Sequence, residues 1–488
     1  MSLTPDDVLK LATLLSQKIM NRRSEIATNV RYYKGTEGRM KFASDEFKEY
    51  FERRFSGFSD NWCMPVAQAP IERANHLGIR LPGEQSFDAG LARVWERNDA
   101  ERGLSEALLM MTVAKRSYGL VSPSDKGARI TFEHPDSAAV IYDGQTRERR
   151  AGLAIWQDDT TEYASLYLPD SVLSLRRVKS GSNAGERYVP PGVDWDFDDS
   201  SGSVEVRNPF GAVPLVEFRN QALLDDDPIS DIAGVRAMQD SINLVWAYLL
   251  NALDVASLPG RVITGSDAPR EPILDDQGQE TGMSRPMELD KLVHDRITFL
   301  PGDAKIAEWT AANLDVYSKV IEHAIEHVAA QTRTPAHYLI AGGNTPATGY
   351  ELSEAGLVSK ASERINYATP SVRELYRLAA LADSKPDLAD QVSEAKVLWK
   401  KPQFRSESQL MDGLGKMRTA GFPFQWIAEE YGLSPTEVER VMQMVRDEAA
   451  DPYLTQIAAK SAAAPAAMPS PAMMGGASNG APIASTVG

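Results

Sequence analysis

The stretch His323-Ala324-Ile325-Glu326-His327 carries the sharpest chemical suggestion in the chain. Two histidines four residues apart on a helix present their nitrogens to one side, and H-x-x-E-H is the inverted form of a zinc-peptidase motif. Such a site also needs a third ligand and a sheltered cleft, and no neighbouring residue nominates either. The helical wheel gives a plainer account. Val316, Tyr317, Val320, Ile321, Ala324, Ile325 and Val328 form an apolar face, while Asp315, Lys319, Glu322, Glu326 and Arg333 form the opposite one. His323 and His327 fall on the border, as they would on any amphipathic helix. We therefore expect no metal and no cofactor.

Two further stretches invite chemistry. Trp426 to Ser434, followed by Pro435-Thr436-Glu437, has the outline of a helix-turn-helix with Gly432 in the turn. A recognition helix must bring Arg, Lys, Asn or Gln to base edges. Here Glu437, Glu439, Asp447 and Glu448 face only Arg440 and Arg446, a surface phosphates would avoid, so a packed helical hairpin is the better reading. The glycine-rich run Ala341 to Gly349 could expose amides to an anion. It has no P-loop lysine and follows no strand, so we read it as a mobile loop between helices. No Ser-His-Asp or Cys-His arrangement emerges, and Cys63 is the only cysteine, which excludes a disulfide or a cysteine-rich zinc site within one chain. We expect a non-enzymatic, architectural protein.

The elements that would hold these residues are readable. Thr4, Pro5 and Asp7 open a first helix with a cap, a first-turn proline and a favourable charge. Amphipathic helices follow around Gln85 to Asn98 and Glu101 to Val113. The runs Gly152–Gln157, Glu162–Leu168, Val172–Val178 and Val213–Phe218 read as strands, with 180–208 as a long hairpin or surface loop. Asp227 and Pro228 signal a helix carrying Ile232, Val235, Met238, Ile242, Val245 and Leu249 at helical spacing. Short strands (RVITG, ITFLPGD) and a Pro- and Gly-dotted loop fill 260 to 312. A second long helix spans Asn313 to Arg333, and a third, of about 35 residues by its periodicity, starts near the capping box Thr348-x-x-Glu351. Leu357, Ala361, Ile365, Ala368, Val372 and Leu375 are its buried stripe, and Pro370 should kink it. Two helices are expected within 406–450, then a tail without charge from residue 461.

Composition narrows the function classes. The chain has 488 residues, room for two or three domains, and 43% of them are apolar, an ordinary globular balance. Its formal net charge of −16 argues against wrapping nucleic acid through phosphate contacts. The start MSLTPDDVLK lacks the pattern of a signal peptide, and no stretch qualifies as a membrane span, so neither export nor a membrane partner is expected.

An ordered series of segments resembles the portal proteins of tailed bacteriophages with long non-contractile tails: Tyr32-Tyr33-Lys34-Gly35 after the first helix, Pro214-Leu215-Val216-Glu217-Phe218-Arg219-Asn220, Thr334-Pro335-Ala336-His337-Tyr338-Leu339, Thr348-Gly349-Tyr350-Glu351-Leu352, and Gly421-Phe422-Pro423. The similarity covers roughly residues 1–450. It implies a predominantly helical α+β portal fold. Its parts would be a wing over 1–227, a first stem helix over 228–256, a clip over 257–312 and a second stem helix over 313–333. A tunnel-loop region over 334–350, the long kinked wing helix with a return strand over 351–405, a crown over 406–455 and a disordered tail over 456–488 would complete it.

The resemblance also implies a ring of twelve copies at one capsid vertex. Double-stranded DNA would pass through it without sequence specificity, during packaging by the terminase large subunit and again at ejection. The head-tail adaptor, the major capsid protein and the scaffold would be its other partners, and the virion its location, with the host cytoplasm during assembly. The tunnel loop would face DNA with Gly342, Gly343, Asn344, Thr345, Thr348 and Gly349. The stem face Asp315, Lys319, Glu322, Glu326 and Arg333 would line the channel or flank a neighbouring helix. In the clip, Arg270, Glu271, Asp275, Asp276 and Arg285 would meet the terminase or adaptor. Three readings compete: another ring-forming neck or tail protein of a virion, an H-x-x-E-H zinc peptidase, and a DNA-binding regulator using 426–446.

Overall fold

The computed structural model describes residues 4–37, 43–55, 58–84, 87–179, 194–200, 202–222, 224, 227–257, 261–264, 270–275, 277–286, 297–300, 306–308, 313–339, 347–403, 407–433 and 435–450. The chain divides into two compact units, residues 1–435 and 436–488. Within the second, the described residues form one amphipathic helix, the bulk of α13 (Pro435–Ala450). The first is α+β and mainly helical.

Its first helix, α1 (Pro5–Lys34), begins at a complete capping box: Thr4 Oγ1 accepts from the amide of Asp7, and Asp7 accepts from the amide of Thr4. Val8, Ala12, Leu15 and Ile19 recur at three- and four-residue steps and bury one face. That face lies on an antiparallel sheet in the order β4 (Ala138–Tyr142), β5 (Arg149–Gln157), β6 (Thr161–Tyr167), β7 (Ser171–Val178), β8 (Asp196–Phe197), with β9 (Glu205–Arg207) also on β7. In β6 every second residue is buried, Glu162, Ala164 and Leu166, as a half-covered strand requires. Glu162 stands opposite Arg177 in the register and binds it, and the Arg177 guanidinium lies 4.2 Å from the Trp195 ring.

A second core joins α4 (Ala89–Arg97) and α5 (Ala100–Ala114) to the sheet β10 (Leu215–Arg219), β2 (Arg116–Ser124), β3 (Gly127–Glu133). It also includes the pair β1 (His76–Arg80) and β16 (Lys396–Trp399), which are antiparallel. Across these packs α9 (Ala347–Ala382), a 36-residue helix that runs unbroken through Pro370. Of its expected stripe, Leu357, Ala361, Ala368, Val372 and Leu375 are fully buried, while Ile365 is only half-buried. Gly119 of β2 is what permits the close approach. A Cβ there would come within 2.9 Å of Leu375 Cδ2. The return strand expected after this helix is β16, and α10 (Pro386–Ser393) lies between them.

Several expectations need correction. The helix expected from residue 228 begins at Arg236, as α6 (Arg236–Ser257). Asp227 does not cap it. Its carboxylate is taken by Lys115 and Arg116, and residues 231–235 form turns held by other bonds. The Pro- and Gly-dotted loop contains a hairpin, β12 (Arg270–Leu274) with β13 (Glu280–Pro286). It lies between β11 (Arg261–Thr264) and the pair β14 (Ile297–Leu300) and β15 (Ile306–Glu308), which flank β11 in a small sheet. Residues 406–450 hold three helices rather than two: α11 (Glu407–Thr419), α12 (Phe424–Tyr431) and α13. The extra break comes at Gly421, whose φ of 95° and amide bond to Arg418 stop α11, with Pro423 preceding α12. The remaining elements are α2 (Asp45–Phe55), α3 (Cys63–Ile71), α7 (Asp315–Thr332) and α8 (Ala336–Leu339).

Candidate functional site: the helix pair α6–α7 and its junction with α9

Helices α6 and α7 pack on one another and on α3 through Ile242, Leu249, Ile321, Ile325 and Val328. Their apolar spacing sets the contact. At about 1.5 Å per residue the 18 residues of α7 reach roughly 27 Å. The buried stripe of α7 is narrower than the wheel suggests: Ile321, Ile325, Val328 and Ala329 are buried, but Val316 and Val320 are 55% and 46% exposed. On α6, Tyr248 and Leu253 are exposed as well. Among the described residues the pair therefore presents exposed apolar side chains.

The face named from the sequence is placed as follows. Asp315, Lys319, Glu322 and Glu326 are all exposed on α7, with three carboxylates against one ammonium. Arg333 departs from them. It ends α7 in the left-handed region at φ 55°, and its guanidinium forks onto Glu363 of α9 at 3.0 and 3.3 Å. It is a link to α9 rather than a free cation. His323 Nδ1 lies 3.2 Å from Glu326 Oε2 and His327 is exposed. Among the described residues no group of three or more His, Cys, Asp or Glu side chains is placed to hold a metal.

The feature that spacing did not reveal is the anchor beneath the pair. Asp231 is buried just before α6, 2.9 Å from Arg364 Nη2 and 3.3 Å from Lys360 Nζ, both on α9. Asn220 donates to the same carboxylate at 2.8 Å, and the Asp231 amide donates to the Thr112 carbonyl. Burial works against the charge of Asp231, but Lys360 and Arg364 outweigh it and hold its carboxyl below the ordinary value. Burial pushes the Lys360 ammonium down, partly offset by Asp231, and its Nζ also donates to the Val66 carbonyl at 3.3 Å. Arg364 Nη1 is 3.7 Å from Glu363, which holds Arg333. One chain of charges thus runs from the end of α7 through α9 to the segment that starts α6. A signal was available: Lys360 and Arg364 sit four residues apart beside the apolar stripe of α9, where a solvated cation has no place.

The hairpin β12–β13 carries four of the five charged residues expected there. Glu271 and Arg285 are register partners and bind at 2.7 Å. Asp275 is spent on the turn, its Oδ1 accepting from the amides of Gln277 and Gln279. Arg270 is exposed at the start of β12. Asp276 lies outside the described residues, as do Gly342, Gly343, Asn344 and Thr345, while Thr348 and Gly349 fall in the first turn of α9. Leu274 and Met283 on the hairpin are exposed.

Comparison with known proteins gives this layout a class. Residues 15–425 match a family model of phage portal proteins. That family is described as "Phage portal protein, SPP1 Gp6-like", and the chain belongs to it. The portal protein of Mycobacterium phage D29 is 25% identical over 408 residues, covering 78% of this chain and 77% of that protein. The portal protein of Mycobacterium phage L5 is 25% identical over 403 residues with the same coverage. Among solved structures, the neck of a native GTA particle computed with C12 symmetry aligns with 83% of this chain and 99% of its own at 13% identity and a TM-score of 0.41. The neck of an empty GTA particle, computed with C6 symmetry, covers 81% and 95% at 12% identity and a TM-score of 0.42. The chain is thus a portal ring protein, a head-tail connector component of a bacteriophage virion, in a family that is structural.

Proposed function

We propose that twelve copies close into a ring at one capsid vertex, and that double-stranded DNA enters through its bore during packaging and leaves through it at ejection. The family match over 15–425 carries this reading. In it, residues 1–227 with α9 and β16 act as the wing, α6 and α7 as the stem, 257–312 as the clip, 334–350 as the tunnel-loop region and 406–455 as the crown. The protein itself is not an enzyme. The clip, with Arg270, Glu271 and Arg285, would dock the terminase large subunit and later the head-tail adaptor, and the wing would meet the major capsid protein and scaffold.

The physics supports these assignments. A closed cyclic ring needs two different complementary surfaces per copy, and the exposed Val316, Val320, Tyr248 and Leu253 supply apolar material for such contacts. The bore must not grip its cargo, since every Lys or Arg that pairs with a phosphate adds a salt-dependent binding term. Asp315, Glu322 and Glu326 against Lys319 give α7 a face that repels the backbone of DNA and leaves it free to slide. Gly342 and Gly343, without formal charge, would brush the duplex weakly.

Imaging of the purified protein tests the architecture directly: a ring with a central hole is expected, and compact monomers would refute it. Deleting the gene should abolish filled heads. Packed but tailless heads would instead assign the protein to the neck. Within formed rings, Glu322→Lys with Glu326→Lys should slow or stall packaging, and unchanged packaging would remove these residues from the bore.

A further inference from the structure

Arg73 lies between α3 and β1, and its side chain is only 11% exposed. Its Nη2 donates to the Tyr338 hydroxyl at 2.5 Å and lies 3.1 Å from Glu354 Oε1. Its Nη1 donates to the Pro402 carbonyl at 3.0 Å and to Glu354 Oε2 at 3.4 Å. These partners belong to three segments remote in sequence. Tyr338 is in α8, Glu354 is early in α9, and Pro402 follows β16 on the way to α11. The backbone beneath the guanidinium is fixed, because the Lys400 amide donates to the Asn75 carbonyl at 2.8 Å and prolongs the β1–β16 pairing.

We propose that Arg73 is a positioning residue, clamping both flanks of the glycine-rich segment and the entry to α11 onto the β1–β16 pair. The proposal deepens the portal reading and rests on it, since that reading makes Gly342, Gly343, Asn344, Thr345, Thr348 and Gly349 the DNA-facing loop. Tyr338 stands on one side of this segment and Glu354 on the other, so a single guanidinium sets where both its ends emerge. The same group holds Pro402, so the loop's flanks and the entry to α11 share one anchor. Arginine suits the role because its planar fork offers five donors in several directions at once, whereas a lysine ammonium is a point charge on a flexible stem. Its burial strengthens the charge-assisted bonds.

Hydrogen–deuterium exchange on assembled full-length rings tests the clamp. For Arg73→Ala we expect exchange to rise roughly tenfold or more at 336–339, 347–355 and 400–403 together, the scale of losing bonds to a charged group. Strands 161–178 should stay unchanged, and Arg73→Lys should fall between. A rise at one segment only, no rise, or a uniform rise across the chain would overturn the clamp. If Arg73→Ala does not assemble, Tyr338→Phe should loosen 336–339 and leave 400–403 protected, and no change at 336–339 overturns the proposal equally. The portal reading fails separately, through wild-type rings without a bore or filled heads without the gene, whatever the exchange pattern.

Discussion

Asp231→Asn removes one charge and almost no volume from the junction beneath the helix pair. In the native protein this carboxylate faces Arg364 at 2.9 Å and Lys360 at 3.3 Å, with all three side chains 5% exposed or less. Once it is neutral, the side-chain oxygen that remains still accepts but carries no charge. Lys360 otherwise keeps the Val66 carbonyl at 3.3 Å, and Arg364 keeps Glu363 at 3.7 Å. Two buried cations then sit close together without an anion between them. Breaking a buried pair this way costs about 3–5 kcal/mol. We expect the unfolding free energy of the purified chain to fall by that amount, read as a lower urea midpoint at unchanged slope. Lys360→Met in the Asp231→Asn background should recover part of the loss, because it deletes one uncompensated cation. The native carboxyl is held below its ordinary value, so its stabilisation is complete above about pH 4 and drains only as pH falls through the lower folded value. The wild-type and Asp231→Asn stabilities should therefore differ fully at pH 6 and converge in strong acid. A loss below about 1 kcal/mol, or a second substitution that adds to the damage, would refute the account of the junction.

Other outcomes follow from the same packing. Ile325→Ala opens a void between α6 and α7 and should cost about 2–5 kcal/mol in the same urea assay, with ring yield falling in step. Cys63 is fully buried and its thiol is pushed up to about 12, by burial first and by Asp240 second. It should resist iodoacetamide at pH 8 in the native ring and react completely in guanidinium, so ready native labelling would contradict its burial. Charge reversal at Glu322 and Glu326 should leave ring assembly intact and impair packaging, read as the yield of filled heads.

What the sequence made legible was what neighbours along the chain decide. Thr4, Pro5 and Asp7 form the cap their spacing describes, β6 alternates as written, and α9 buries the stripe its period lays out except for the half-buried Ile365. The misplaced start of α6 is an error where distant residues decide. Asp227-Pro228 has the local chemistry of a helix start, yet Lys115, Arg116, Lys360 and Arg364, over 100 residues away, take Asp227 and Asp231 and leave the backbone in turns until Arg236. Helix α7 shows the same limit from the opposite side. Its period marks Val316 and Val320 as apolar-face residues, but both are exposed. Arg333 was grouped with the charges of that face by its wheel angle, although the left-handed turn that ends the helix swings it onto Glu363. A wheel assumes the helix continues, so the residue at its end is where the assumption fails first. The charged face of the second long helix accordingly reduces to Asp315, Lys319, Glu322 and Glu326, while Arg333 belongs to the joint that carries it.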